Sequence, residues 1–74
     1  MSEMCLDLID YLIELRKARG ITQRQLAKET HLTQSAIARF ESKRTVPQLD
    51  TLYRIVSALN CRIHIIPNYK STAK

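Results

Sequence analysis

Two threonines, Thr22 and Thr33, constrain this chain more than any other feature. Each stands just ahead of a short run with inward-facing residues at helical spacing: Leu26, Ala27 and Thr30 after the first, Ile37 and Phe40 after the second. A threonine hydroxyl can accept from the unpaired N–H groups of a helix's first turn, so both read as N-caps. Gln25, three residues after Thr22, completes a capping box, and Leu32 can pack against the turn that Thr33 opens. The spacing predicts helices over 23–30 and 34–42, with only a tight turn between them. Helices this short are marginal in water by themselves. Each must bury its inner face against the rest of the chain.

The flanking segments supply that cover. Cys5, Leu8, Ile9, Leu12 and Leu15 recur on one side of a helix expected over 3–18, with Leu6 and Ile13 widening the apolar arc. Gly20 suits the left-handed position that ends a helix. After the basic loop Lys43-Arg44-Thr45-Val46-Pro47, where Pro47 stops helix three, a fourth helix is expected over 49–59. Leu49, Leu52, Ile55, Val56 and Leu59 form its buried row. The pattern then changes. Arg62-Ile63-His64-Ile65-Ile66 is β-branched and nearly alternating, and Pro67 ends it. It reads as a short strand, and nothing else in the chain reads as its partner. A strand needs one, so the expectation is pairing with the same segment of a second copy. The domain plan is a helical domain over 1–60, a dimerisation strand over 61–67 and a polar tail over 68–74.

Seventy-four residues allow one small domain. A domain of this size buries only about 60% of its unfolded surface, and dimerisation offsets that shortfall. No apolar run approaches membrane-spanning length, and Met-Ser-Glu-Met-Cys lacks the basic start and apolar core of a signal peptide. The expected location is the cytoplasm, with Cys5 and Cys61 as reduced, buried thiols. Charge is unevenly placed. Glu3, Asp7, Asp10 and Glu14 give the segment before Arg16 a charge of −4, and the remainder carries +9 of the net +5. A basic body with one acidic edge suits a polyanion binder that has an orientation.

Helix three carries the chemistry for such a partner. At ~100° per residue its outer face holds Ser35, Ala38, Arg39 and Ser42, with Gln34 at the edge. A glutamine offers a donor and an acceptor together, matching adenine N6 and N7 in a major groove, and an arginine forks onto guanine O6 and N7 or onto phosphate. Gln34, Ser35 and Arg39 are the candidate base contacts. Lys43 and Arg44 are candidate backbone clamps, while Arg24 and Lys28 could equally be plain surface charges.

Residues 12–59 resemble the Cro/Xre helix-turn-helix family of phage and bacterial repressors. The resemblance rests on elements in family order: Leu15-Arg16, Gly20-Ile21-Thr22-Gln23, Leu26-Ala27, Leu32-Thr33, Ile37-Ala38-Arg39-Phe40-Glu41 and Pro47…Leu49…Leu52. It implies a mainly α, four- to five-helix, lambda-repressor-like bundle that binds palindromic operator double-stranded DNA as a homodimer. Gln23 matches the family's phosphate-contact position, and Arg16 and Glu41 match positions that pair between helices one and three. The short terminal strand is similar to that of HipB-like antitoxins, in which the antitoxin represses its own operon and restrains a toxin kinase. The chain departs from the family where His31, Lys43 and Asn60 stand at positions that commonly carry glycine.

Other chemistry is poorly supported. Cys61 and His64 have metal-like spacing but lack a second pair of ligands. The chain has no nucleophile–base arrangement and no phosphate-cradling glycine loop. The expectation is no enzyme, no metal and no cofactor. The alternative is a protein-interaction module that neutralises a partner toxin, with DNA binding secondary. An RNA-binding role is weaker, because no sheet with exposed stacking aromatics is in view.

Overall fold

A computed structural model describes residues 1–68. It contains four helices, α1 (Glu3–Ala18), α2 (Gln23–Thr30), α3 (Gln34–Ser42) and α4 (Leu49–Ala58). Their starts are set by side-chain caps. Ser2 Oγ accepts from the Cys5 N–H at 3.2 Å. Thr22 Oγ1 accepts from the Gln25 N–H at 3.0 Å while Gln25 Oε1 accepts from the Thr22 N–H at 2.8 Å, a complete capping box. Thr33 Oγ1 accepts from the Ala36 N–H at 3.0 Å. Gln48 at the head of α4 makes no such bond.

The ends share one device. Behind α1, Ile21 N–H reaches back to Arg16 O at 3.1 Å and Gly20 N–H to Lys17 O at 3.0 Å. Behind α2, Leu32 N–H reaches Ala27 O and His31 N–H reaches Lys28 O; behind α4, Cys61 N–H reaches Val56 O and Asn60 N–H reaches Ser57 O. Each is a Schellman closure with a left-handed hinge followed by an apolar residue. Ile21, Leu32 and Cys61 all pack against the core. The hinges have φ of 70° at Gly20, 60° at His31 and 60° at Asn60, and Lys43 behind α3 has φ 61°. The three positions where the sequence departs from family glycines therefore keep the glycine conformation. A side chain held there costs about 1–2 kcal/mol, least for asparagine.

The core is Ile9 and Leu12 from α1, Leu26 and Ala27 from α2, Ile37 and Phe40 from α3, and Ile55, Val56 and Leu59 from the α4 region. α2 packs on α3 and α4, and α1 lies against α3. The guanidinium of Arg19 donates to the Leu59 carbonyl, tying the end of α1 to the end of α4.

Several expectations need correction. Leu49, assigned to the buried row of α4, is 75% exposed. It occupies the first helical position, beyond the reach of the other helices. Leu8 and Cys5 on α1 are also exposed, and Cys61 is half-buried, so neither thiol is fully buried. Residues 61–68 form no strand among the described residues; Arg62, Ile63, His64, Ile65 and Ile66 are all exposed. A lone segment has no ladder to join, and the other described residues supply none. Of the polar tail expected over 68–74, residues 69–74 lie outside the described residues.

Candidate nucleic-acid interface

α3 is held by its inner side and its C-terminal end. Ile37 and Phe40 are 0% and 4% exposed, whereas Gln34, Ser35, Ala38, Arg39 and Ser42 all face out. The side chains of Gln34, Ser35 and Arg39 bond no other described residue, so their polar tips are available to a partner. Gln34 and Ser35 occupy the first turn, where the positive end of the helix dipole and its unpaired N–H groups also point outward. Arg39 sits one turn on, beside a shallow recess shared with Thr45, Gln48 and Thr51. Thr45 belongs to the basic loop, and Gln48 and Thr51 follow it in sequence.

A buried polar network fixes the far end of α3. Arg16 Nε and Nη2 donate to Glu41 Oε2 and Oε1 at 2.7 and 2.9 Å, a bidentate pair. Arg16 Nη1 donates to the Ile21 carbonyl at 2.7 Å. The two side chains are only 10% and 9% exposed. Such a pair holds its geometry because each of the three guanidinium nitrogens has an acceptor. Gln23 joins the same network, donating Nε2 to Glu41 Oε1 at 2.9 Å. This side chain, expected to reach phosphate from the head of α2, is half-buried and turned toward α3. One amide hydrogen is committed there.

The loop after α3 divides its two cations. Lys43 Nζ donates to Asp10 Oδ1 on α1. Arg44 is exposed, and its N–H donates to Ser42 Oγ at 3.3 Å, while Ser42 Oγ donates to the Arg39 carbonyl at 2.7 Å. Gln34, Ser35, Arg39 and Arg44 thus present outward, whereas Lys43 and Gln23 are engaged within the chain. Arg62–Ile66 belong to the exposed C-terminal segment.

The helix-turn-helix family (HTH_3) matches residues 12–66. The chain belongs to that family. As a Cro/Xre-type helix-turn-helix protein it has named relatives. An uncharacterized HTH-type transcriptional regulator of Haemophilus influenzae is 38% identical over 66 residues, covering 89% of this chain and 67% of the relative. The antitoxin HigA1 of Mycobacterium tuberculosis is 36% identical over 59 residues, covering 80% of this chain and 40% of HigA1. This helix-turn-helix chain therefore spans well under half of that antitoxin. Among solved structures, a toxin–antitoxin module from Streptococcus pneumoniae superposes with a TM-score of 0.73 at 34% identity, covering 88% of this chain and 71% of the other. No helix among the described residues is long and apolar enough to cross a membrane.

Proposed function

We propose that this helix-turn-helix protein is a sequence-specific DNA-binding repressor that lays α3 in the major groove. The observation that carries the reading is the outward face of α3. Gln34, Ser35 and Arg39 are exposed and bond no other described residue, on a helix braced by Arg16 and Glu41. In this reading Gln34 pairs with adenine, Arg39 with guanine or phosphate, and Ser35 with whichever lies nearest. Arg44 and the head of α2 at Gln23 hold the backbone, with Lys43 beside them. A symmetric pair of such helices fits near-palindromic half-sites about one helical turn apart. The homodimer would form through Arg62–Ile66, whose exposed Ile63, Ile65 and Ile66 would then be covered by the same segment of a second copy. Its working location would be the cytoplasm, on the chromosome.

The named relatives support a narrower role as the antitoxin of a toxin–antitoxin operon, with a toxin as second partner. The apolar side chains left exposed on α1, Met4, Leu8 and Tyr11, favour a protein partner there. That leaves room for a module whose first task is toxin neutralisation.

Selection of bound fragments from a random duplex library, followed by titration on the winner and on scrambled DNA, tests the main reading. Gln34→Ala should lose roughly 10-fold or more on the selected site and little on scrambled DNA, the worth of one base contact. Arg44→Ala should weaken both alike and flatten the salt dependence by about 0.9 on a log–log plot. Equal losses for Gln34→Ala on the two DNAs would remove base readout.

A further inference from the structure

We infer that Asp10 is a positioning residue for DNA binding, holding Lys43 back from the phosphate backbone; the inference rests on the DNA-binding reading above. Lys43 is the hinge behind α3, with φ 61° and its N–H bonded to Phe40 O at 3.3 Å. From there its side chain crosses to α1, where Nζ donates to Asp10 Oδ1. Lys43 and Asp10 side chains are 35% and 52% exposed, so the pair is wet and can exchange. Asp10 lies on the acidic edge of α1 with Glu14 nearby, and both line the same cleft as Gln23, Glu41 and Lys43. The cleft therefore joins two residues the sequence points toward phosphate, Gln23 and Lys43, to the carboxylates that engage them.

For Lys43 to meet a phosphate, the Asp10 pair must open, and the cost of opening it lowers affinity without reading a base. Asp10 thus subtracts from the sequence-independent part of binding, and the reduction grows as salt falls. Arg44, whose side chain bonds no other described residue, carries the backbone contact meanwhile.

The test compares the parent protein with Asp10→Asn, Asp10→Glu, Lys43→Met and the Asp10→Asn/Lys43→Met double variant. Each is titrated with a random-sequence duplex at several salt concentrations and eluted from heparin, a polyanion without base edges. Asp10→Asn should bind the duplex roughly 2–5-fold more tightly at about 100 mM salt, with a log–log salt slope steeper by up to about 0.9. Asp10→Glu should return to the parent value. In the Lys43→Met background the gain from Asp10→Asn should fall below about 2-fold, and heparin elution should follow the same order. A gain of equal size with and without Lys43 would reduce the effect to net charge and overturn the inference, as would an Asp10→Asn variant no tighter than the parent. If no variant binds duplex DNA, the DNA reading falls, and the heparin series still decides whether Asp10 restrains Lys43.

Discussion

Removing the carboxylate of Glu41 is the most severe single perturbation the buried network offers. Glu41→Ala deprives Arg16 of two charge-assisted bonds and Gln23 of one, while Arg16 keeps only the Ile21 carbonyl. Arg16 is 8% exposed, so its charge cannot simply hydrate. Stranding one member of such a pair costs about 3–5 kcal/mol. A 74-residue domain has a total stability of about 4–11 kcal/mol. The variant should therefore lose roughly a quarter of its stability at the least and be largely unfolded at the worst. At about 4–8 °C per kcal/mol for a domain of this size, the melting temperature should fall by about 12–40 °C. Thermal and urea melts followed by circular dichroism at low and high salt are the assay. The penalty should change little with salt, because the pair is shielded from solvent. The apolar double variant Arg16→Met/Glu41→Leu should recover most of the loss, since it leaves neither charge unmatched. A Glu41→Ala protein melting within about 3 °C of the parent would refute this account. So would a double variant no more stable than the sum of its single changes predicts.

Two smaller changes test the local geometry. His31→Gly should stabilise the fold by about 0.5–1 kcal/mol, the relief of a left-handed side chain less the added freedom of glycine in the unfolded chain, whereas His31→Val should destabilise it; thermal melts that rank the three the other way would contradict the hinge. Gln48→Ser should add about 0.5–1 kcal/mol by giving α4 the cap it lacks, visible as a higher urea midpoint with an unchanged slope.

The helices were legible because their boundaries are written in single residues. Thr22, Gln25 and Thr33 specify starts through bonds to backbone only three residues away, and such local chemistry needs no knowledge of the fold. The same holds for the inner face of α3, where Ile37 and Phe40 fall at the right angle. Periodicity gives the angle of a side chain about its helix, but not whether a neighbour lies there. Leu49 has the right angle and nothing above it, and Leu8 is only partly covered. The partners of Gln23 and Lys43 were out of reach for a related reason: each side chain finds a carboxylate from a helix distant in sequence, Glu41 in one case and Asp10 in the other. The hinges were harder still. His31 and Lys43 looked like departures, yet the backbone keeps its left-handed turn at both, because the closing bonds and the buried residues around them outweigh the local strain. The segment 61–68 shows the limit of pattern: alternation fixes what a strand would look like, while its ladder requires a second backbone.

The unequal anchoring of α3 has a mechanical consequence. Its last turn is bolted to the first helix through the Arg16 fork, but its opening turn rests on the Thr33 hydroxyl and partial cover from Ala36 and Leu32. Fraying therefore starts at Gln34 and Ser35, so the tip can bend to follow an irregular surface while the shaft keeps its heading.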